Sequence, residues 1–475
     1  MNFTLDKELS SLSIFLAKKS ELGDRIDPEM VFFRRKTKNF KYPLAKLKSF
    51  FSEAPQYGAG ERGLERENEK QPRYIRITDI DEYGILTNLL GATAVKVEPR
   101  YVLAEDDLLI ARSGNTVGKA YLHKSSLTQN VCFFAGYLIR FRFRQDVILP
   151  SYVFALTQLP YYKEWVCAVQ RAAGQPNINA KEYSNLEIPA APLPVQRKIV
   201  SLLDEAYAAK RKNDQDADFF LASIDVMLLD ELGVPNPCIS SHSIEDRIFK
   251  RCFSSLSGKR IDPRANWKRL SFEGGRFALR QLRDVSSINP ITRLPKIEKE
   301  RLISFVPMDA VSDKFGEIHD TQAREMKLHG SYTLFQNGDV LWAKITPCME
   351  NGKSAVAKEL LEGVGYGSTE FHVFRPITTI VSPEYLHLIL RLKMLRELAQ
   401  LNFTGSSGHQ RVDEKYFYSM KIPIPSLEIQ QNIVAKAESL KSQAKTLLSK
   451  GRADLDEAKR IIETFILENN VSKTA

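Results

Sequence analysis

The sequence lacks the features of a membrane protein or a disulfide-rich protein. No apolar run in its 475 residues approaches the roughly 18 residues that a membrane-spanning helix needs. The first residues, MNFTLDKELSSLSIFLAKKS, carry acids and serines where a signal peptide has an uninterrupted apolar segment. The five cysteines (Cys132, Cys167, Cys238, Cys252 and Cys348) are scattered and never form a CxxC pair, which argues against disulfides and a zinc site. We therefore expect a cytoplasmic protein whose cysteines are packing residues.

Motifs of cofactor-dependent catalysis are also missing. GNTVGKA at 114–120 resembles a phosphate-binding loop, but Ser113 stands where the first glycine belongs and Ala120 where Ser or Thr belongs. GVGYG at 363–367 lacks the spacing of a dinucleotide-binding turn, and NPIT at 289–292 lacks the second proline and the aromatic residue of an amino-methyltransferase motif. The seven histidines include no HExxH. We expect no catalytic residue and no metal site, although a short nuclease carboxylate cluster stays open.

Composition and charge favour a globular protein with a polyanionic partner. Hydrophobic residues make up 43% of the chain, and its length suits two to four domains. The 68 lysines and arginines exceed the 58 aspartates and glutamates, which gives a formal net charge of +10. Because surplus cations attract polyanions, this balance favours a nucleic acid over an acidic or neutral partner.

The sequence contains the same series of motifs twice. IPAAPLPVQRKIV at 188–200 matches IPIPSLEIQQNIV at 422–434, at a separation of 234 residues. Upstream, DLLIAR from Asp107 faces DVLWAK from Asp339, and LAKL from Leu44 faces LRQL from Leu279. Chance similarity among strand and helix patterns is the alternative, but the order of all motifs is preserved. We therefore predict a tandem duplication of two similar, unequal units.

Each repeat divides into a β-rich segment and a long helix. Short runs of β-branched and aromatic residues, broken by Gly, Pro, Asn and Asp, predict mixed, mostly β globular domains at 39–194 and 276–427. Long helices are predicted at 195–233 and 428–475, with a basic linker at 234–275 between the repeats. Leucines at 5, 9, 12 and 16 indicate a helical extension over 1–38. The predicted fold class is α+β.

Both long helices carry apolar or small residues alternately four and three apart, which is the spacing of a coiled-coil seam. An antiparallel pair would place the two domains at opposite ends of a rod about 50 Å long, at 1.5 Å per residue. The alternative is two separate amphipathic helices, each packed on its own domain. The residues predicted to form the coiled coil or to dock a partner are Gln196, Ile199, Leu203, Phe220, Ile224, Gln430, Ile433, Leu440, Leu447 and Ile461.

Two polar, glycine-containing loops follow strands in each repeat: 112–119 and 170–183 in the first, 344–353 and 403–417 in the second. Their side chains are those that hydrogen-bond to base edges and phosphates. The alternative is ordinary solvated turns. What favours DNA contact is that the flanking strands and helices match between repeats while the loops differ, as recognition of two different sequences requires.

The candidate DNA-binding residues lie in these loops. They are Arg112, Ser113, Asn115, Thr116, Lys119, Gln175, Asn177, Asn179 and Lys181 in the first repeat, and Lys344, Thr346, Asn351, Lys353, Ser406, Ser407, His409, Gln410, Arg411 and Lys415 in the second.

Two further basic segments leave their roles open. In LIRFRFR, Arg140, Arg142 and Arg144 alternate with phenylalanines, so the arginines share one face of a strand that faces either solvent or phosphate. The cation-rich segment 259–283 is either a solvated linker or a phosphate contact.

The arrangement resembles the DNA specificity subunit of type I restriction-modification enzymes. The resemblance covers about residues 40–465 and is carried by the two IP…Q…IV motifs, each before a long helix and after a globular unit, together with DLLIARSGNTVGK and DVLWAKITPCMENGK. It implies two target recognition domains on one bipartite double-stranded DNA site, separated by an antiparallel coiled coil. It also implies that the helices dock two modification (methyltransferase) subunits, and that restriction subunits, which are ATP-dependent translocases and endonucleases, join the complex.

The resemblance implies no cofactor for this chain, since S-adenosylmethionine, ATP and Mg²⁺ belong to the partner subunits. A rod of about 50 Å would separate the half-sites by roughly 15 base pairs at 3.4 Å each. Two other hypotheses remain: a self-sufficient DNA enzyme, a nuclease or methyltransferase with duplicated domains, and a coiled-coil scaffold that binds only protein.

Overall fold

The computed structural model describes residues 28–35, 40–86, 90–127, 130–170, 176–234, 272–292, 302–325, 332–405 and 410–467. The chain forms two compact units, Met1–Lys212 with Lys450–Ala475 and Asn213–Ser449. Each unit therefore contains one β-rich segment and part of both long helices. Most of the predicted N-terminal extension and of the basic linker lies outside the described residues. Among the helices of these residues, none combines the length and the apolar composition of a membrane span.

The first unit is built from short strands and short helices. Its strands are β1 (Leu44–Lys46), β2 (Gln56–Tyr57), β3 (Leu64–Glu65), β4 (Arg73–Ile75), β5 (Ala92–Thr93), β6 (Leu108–Ala111), β7 (Ala120–Leu122), β8 (Cys132–Phe134), β9 (Leu138–Phe141) and β10 (Glu187–Pro189). Its helices are α1 (Pro28–Arg35), α2 (Pro150–Thr157), α3 (Pro160–Val169) and α4 (Ala180–Ser184), followed by the long helix α5 (Leu193–Glu231).

The strands of the first unit form two four-stranded sheets and one two-stranded pair. The orders are β2-β9-β6-β7, β3-β5-β4-β8 and β1-β10, and only β4 and β8 run parallel within the sheets described. Every residue of β6 and β9 is buried, which explains why these strands are continuous apolar runs apart from one arginine. A proline occupies the first turn of α2 and of α3, where its missing N–H costs no helical hydrogen bond.

The second unit follows the same plan. Its strands are β11 (Leu279–Gln281), β12 (Ser286–Ile288), β13 (Leu302–Val306), β14 (Gln322–Glu325), β15 (Thr333–Gln336), β16 (Val340–Ala343), β17 (Ser354–Val356), β18 (Val364–Gly367), β19 (Phe371–Pro376), β20 (Phe403–Thr404), β21 (Arg411–Val412) and β22 (Lys421–Pro423). Its helices are α6 (Leu282–Val285), α7 (Pro383–Arg391), α8 (Lys393–Gln400), α9 (Lys415–Tyr418) and α10 (Leu427–Ile466). The four-stranded sheets have the orders β12-β19-β16-β17 and β14-β13-β18-β15. The α+β class is as predicted.

A buried aspartate paired with an arginine recurs in the two units. In the first unit, Arg142 donates from Nε and Nη2 to the carboxylate of Asp107, at 2.6 and 3.0 Å. In the second, Arg375 donates from the same two atoms to Asp339, at 2.8 and 2.7 Å. Because a buried carboxylate needs such a partner, the DLL and DVL motifs keep their aspartates for the core of each unit.

The arginines of LIRFRFR bind inside the first unit. Arg142 is held by Asp107, Arg140 is buried and donates to the Val102 carbonyl at 3.1 Å, and Arg144 donates to the Ser49 carbonyl at 2.6 Å. Arg140 is buried and Arg142 is half-buried, whereas Arg144 is exposed, so of the three arginines Arg144 faces open solvent. The acceptors of these arginines lie far away in the sequence, so the strand pattern alone does not predict them.

The glutamine of each repeated motif fixes the start of a long helix. Gln196 accepts a hydrogen bond from Leu149 N at 2.8 Å and donates to the carbonyls of Val147 and Ala191. Gln430 does the same in the second unit, accepting from Ser382 N at 2.8 Å and donating to Ile380 and Pro425. Since the two glutamines are 1% and 0% exposed, the structure corrects their assignment to partner docking: each joins the long helix to the β-rich segment before it.

The buried faces of the long helices follow the predicted seam at first and then shift. Ile199, Leu203 and Ile224 are buried on α5, and Ile433 on α10, whereas Phe220, Leu440 and Leu447 are half-buried. Near the end of α10, Ile461 is 38% exposed and Ile462 is fully buried. An α-helix has 3.6 residues per turn, so its buried face moves by about 20° per heptad against a strict seven-residue repeat. The heptad spacing predicts Ile461 as the seam residue near the end of α10, but the structure buries Ile462 instead.

The N-terminal described residues contact the end of α10 within the first unit. Lys41 N donates to the Ile466 carbonyl at 2.9 Å, and the Lys41 ammonium donates to the Thr464 carbonyl at 2.7 Å. The rings of Phe33 and Phe40 pack on Tyr161 of α3, with centroids 5.3 and 4.9 Å away. Residues about 420 positions apart in the sequence thereby share one core.

Candidate nucleic-acid interface

The two candidate loops of the first unit are joined by main-chain hydrogen bonds. Gly114 N donates to the Pro176 carbonyl at 3.0 Å, and Ile178 N donates to the Arg112 carbonyl at 2.8 Å. Ser113 and Asn177 form an antiparallel bridge between these contacts. Gly114 has φ +74°, a backbone conformation that a side chain disfavours, which explains the glycine in RSGN. Segments some 60 residues apart in sequence therefore form one surface.

The second unit joins its loops by equivalent bonds. Thr346 N donates to the Gln410 carbonyl at 3.0 Å, and Val412 N donates to the Lys344 carbonyl at 3.0 Å. Ile345 and Arg411 form the bridge that corresponds to Ser113 and Asn177. The main-chain frame is therefore the same in both units while the side chains on it differ.

Arg112 is the prominent cation of the first surface. Its Cζ lies 4.9 Å from the centroid of the Tyr57 ring, a cation–π distance. Its Nε is buried and has no hydrogen-bond partner among the described residues. Tyr57 was not predicted as a site residue, because nothing in its sequence surroundings points to a residue 55 positions away.

On the second surface, Arg411 forms an ion pair. It donates to Glu370, with Nη2 2.7 Å from Oε1 and Nε 2.9 Å from Oε2. The Arg411 guanidinium lowers the pKa of Glu370, so the carboxylate stays charged at neutral pH. Thr346 donates to Glu350 at 2.7 Å, and Lys344 is half-buried beside these groups. Glu370 was missed from the sequence, since an acid is not expected on a DNA-facing surface.

Three candidates hold the loops themselves. The ammonium of Lys119 donates to the Ile80 carbonyl at 3.3 Å, and that of Lys353 donates to the Met308 carbonyl at 3.0 Å. Asn179 accepts from Glu182 N at 3.0 Å as the N-cap of α4. The matched lysines explain why a Gly-Lys pair occurs in both repeats: each ties its loop to the turn that follows the first strand of the parallel pair.

The remaining candidates differ in exposure. Asn115, Asn177, Lys181, Asn351 and Lys415 are exposed, Thr116 and Gln410 are half-buried, and Ser113 is buried. Gln175, Ser406, Ser407 and His409 lie outside the described residues. Exposed amides and ammonium groups are available to a ligand, whereas the Ser113 side chain is not.

A hollow adjoins the loop pair in each unit. In the first, Gly60, Tyr74, Arg76 and Tyr137 line a space of about 580 Å³, and Tyr137 is 61% exposed. In the second, Pro290, Tyr332, Lys344 and Phe371 line a space of about 300 Å³. These hollows give the two surfaces different shapes as well as different side chains. Within the described residues, no group of three or more His, Cys, Asp or Glu could hold a metal ion.

Comparison with known proteins gives a family match over most of the recognition segments. A family model described as type I restriction modification DNA specificity domain matches residues 65–215 and 277–453, more than half of the chain. It matches twice, at the positions of the two repeats.

Individual relatives are matched over shorter stretches. The type I restriction enzyme EcoAI specificity subunit of Escherichia coli is 35% identical over 183 residues, 38% of this chain and 31% of that protein. The EcoEI specificity subunit of the same species is 33% identical over 195 residues, 41% of this chain and 32% of that protein. The matched part of the chain thus spans about a third of the length of these curated relatives. A solved chain, from work on complex assembly and conformational transition of the type I R-M system, is 16% identical with a TM-score of 0.48, covering 89% of this chain and 96% of that chain.

Proposed function

Because the chain belongs to the type I restriction modification DNA specificity domain family, we propose that it is the DNA specificity subunit of a type I restriction-modification complex. Each unit recognises one half of a bipartite double-stranded DNA site through its joined loops. The observation that carries the proposal is that equivalent main-chain hydrogen bonds present different side chains in the two units. A common frame with different side chains is what recognition of two unlike half-sites requires.

The two long helices set the distance between the half-sites, as an antiparallel coiled coil with a pseudo-twofold relation between the repeats. Within the first unit, the Lys198 ammonium lies 4.6 Å from the Phe465 ring, which joins the start of α5 to the end of α10. Within the second unit, Lys436 pairs with Glu231, which joins the start of α10 to the end of α5. Both contacts support an antiparallel direction. At 1.5 Å per residue a helix of 39 residues is about 58 Å long.

The modification subunits dock on the exposed faces of the helices. The seam residues Ile199, Leu203 and Ile433 are buried, so they are not available for this contact. On α5, Phe219 is 71% exposed and Val226 is 54% exposed, and their spacing of seven residues puts them on one face of the helix. An exposed aromatic residue of this kind is typical of a protein interface.

The chain itself is non-catalytic, and restriction subunits join the same assembly. S-adenosylmethionine serves the modification subunits, while ATP and Mg²⁺ serve the restriction subunits. The absence of cofactor-binding motifs from the sequence supports this division of tasks. The DNA partner proposed for this chain favours a cytoplasmic location. Methyl transfer or cleavage by the purified chain without partner subunits would contradict a non-catalytic role.

Exchange of one recognition segment tests the division between the units. Residues 39–194 are replaced by the corresponding segment of a family member with a different site, and the chain is expressed with its modification subunits. We expect the methylated half-site assigned to this segment to change and the other to stay the same, as measured by mapping methylated bases in the genome. A reciprocal exchange of 276–427 is the control. A change in both halves from a single exchange contradicts the proposal.

A further inference from the structure

The Arg112 guanidinium is restrained on one side and lacks a partner on the other. The Tyr57 ring covers one face at 4.9 Å, and Nε has no hydrogen-bond partner among the described residues. Nearby arginines differ, since Arg142 binds the carboxylate of Asp107 and Arg76 binds that of Asp79. Because Nε is buried while the side chain as a whole is only half-buried, the terminal nitrogens of the guanidinium are the donors that a ligand can reach.

Tyr57 is fixed in turn. Its hydroxyl accepts a hydrogen bond from Ala180 N, the first residue of α4, at 3.1 Å. Its main chain pairs with Ile139 in β9. With both ends held, the ring keeps one orientation, and the plane of the guanidinium stacked on it is restricted accordingly. Such restriction lowers the entropy that the arginine loses on binding.

We propose that Arg112 recognises a guanine in the major groove, donating to O6 and N7, and that Tyr57 is its positioning residue. The inference rests on the proposed function, because it names the base that the first unit contacts. Two parallel N–H donors match the two acceptors on the guanine edge, which no other base presents in that groove. Phosphate oxygens can also accept two hydrogen bonds from an arginine, so the experiment has to separate the two acceptors.

The surroundings of Arg112 favour the base. Asn115, Thr116 and Asn177, on the same joined loops, are neutral side chains that hydrogen-bond to base edges. The ammonium of Lys119, the nearest cation in the loop, is already bound to the Ile80 carbonyl. A phosphate contact is typically made by several cations together.

The second unit does not contain the same pair. Lys344 stands in place of Arg112, since its carbonyl accepts from Val412 N as that of Arg112 accepts from Ile178 N. β19 corresponds to β9, and Asn289 N donates to the Val373 carbonyl of β19. Asn289 therefore takes the place of Gln56, which pairs with Arg140 of β9. The next residue, Pro290, takes the place of Tyr57. Lysine lacks the planar guanidinium with two parallel N–H donors, and proline lacks an aromatic ring on which a cation could stack. We therefore expect guanine recognition by this pair in one half-site only.

The test uses the chain assembled with its modification subunits and duplexes that contain the mapped site. Each guanine of the half-site assigned to the first unit is replaced in turn by 7-deazaguanine, which lacks N7 but keeps Watson–Crick pairing. We expect one replacement to weaken binding by the wild-type complex. We expect Arg112→Ala to weaken binding to the unmodified duplex by about 5- to 150-fold and to abolish the effect of that replacement.

Three further variants separate positioning from charge and from misfolding. Arg112→Lys keeps the charge and is expected to lose the sensitivity to 7-deazaguanine. Tyr57→Leu should lose most of that sensitivity, whereas Tyr57→Phe, which keeps the ring but not the hydroxyl bonded to Ala180 N, should retain more of it than Tyr57→Leu. Lys344→Ala is the matched control in the second unit and should leave the sensitivity of the first half-site unchanged.

The outcomes distinguish failure of the inference from failure of the function. Sequence-specific binding that is insensitive to every 7-deazaguanine overturns the inference alone. An Arg112→Ala loss that is equal for all duplexes, specific or not, assigns Arg112 to a phosphate and also overturns it. A wild-type complex without any sequence preference overturns the proposed function, and the inference with it.

Discussion

At the scale of single residues, the two repeats share residues whose polar side chains are buried. Gln196 and Gln430 each join three main-chain groups, and Asp107 and Asp339 each accept two hydrogen bonds from an arginine. The sequence identifies these residues as repeated, but it does not reveal their partners, which lie far along the chain. The same limit applies to the interface: polar loops predict Arg112, whereas Tyr57 and Glu370 emerge only once the chain is folded.

Replacing Gln430 by alanine should destabilise the second unit. The substitution removes this partner from Ser382 N and from the carbonyls of Ile380 and Pro425, which are buried or partly buried, at up to about 1–3 kcal/mol for each group that stays unpaired. We expect the urea midpoint of unfolding, followed by far-ultraviolet circular dichroism, to fall clearly. Gln431→Ala is the control, since Gln431 is exposed. Equal midpoints for the two variants would contradict the assigned role.

Two buried histidines should make the second unit sensitive to mild acid. Burial lowers the pKa of His372 below its ordinary value and that of His387 well below it. An unfolded histidine binds a proton near pH 6.5, so unfolding takes up protons below that pH. The contribution to stability is therefore complete above about pH 6.5 and decreases as pH falls, by about 1.4 kcal/mol per pH unit for each histidine that stays neutral.

His387→Gln provides the measurement. Glutamine can keep a hydrogen bond to Ser354, which lies 3.0 Å from His387 Nε2, but it does not titrate. We expect urea unfolding at pH values between about 7 and 5 to show a smaller loss of stability in the variant than in the wild type. His319 is exposed, so His319→Gln serves as the control. If the two pH profiles coincide for His387→Gln and wild type, the buried histidine is not the cause.

At the scale of elements, the long helices show where periodicity predicts well and where it fails. Ile199 and Leu203, one turn apart at the start of α5, are buried as the periodicity predicts, because errors of phase are small over a few turns. By Ile461 the accumulated drift has reached one residue, and the buried face has moved to Ile462. Strand segments were predictable from their apolar runs, whereas their order in the sheets was not, because pairing joins strands such as β4 and β8 that are distant in sequence.

Neighbouring isoleucines near the end of α10 test the position of the buried face. Ile462→Ala removes a fully buried side chain from the core of the first unit and should destabilise it by about 2–5 kcal/mol. Ile461→Ala alters a side chain that is 38% exposed and should have a much smaller effect. Urea unfolding of both variants gives the comparison. The reverse order of stabilities would restore the strict heptad seam.

At the scale of the whole molecule, the duplication predicts the proposed bipartite site, and the helices predict its spacing. The repeat is visible in the sequence because the buried residues that both units need have been kept. What differs between the units lies in loops, where the chain tolerates change, and their sequence alone does not specify a base.

Deleting seven residues from each long helix should shorten the spacer in the recognised site. Each deletion removes about 10.5 Å of helix, equivalent to roughly three base pairs of duplex at 3.4 Å each, while the buried faces stay nearly in phase. Mapping methylated bases in cells that express the deleted chain with its modification subunits measures the spacer. Deletion of seven residues from one helix only is the control and should disrupt the assembly. An unchanged spacer after the paired deletion contradicts the role of the helices in spacing.

The hydrogen bonds from Lys41 to Ile466 and Thr464 also bear on the order in which the protein is made. The second unit is one continuous stretch, Asn213–Ser449, whereas the first includes Lys450–Ala475. A ribosome therefore releases every residue of the second unit before Lys450–Ala475, which complete the first unit, have emerged. Until then Ile199 and Leu203 lack Leu455 and Ile462, which belong to the same core cluster. The unit that is synthesised first is completed last, and nascent chains should depend on chaperones for that interval.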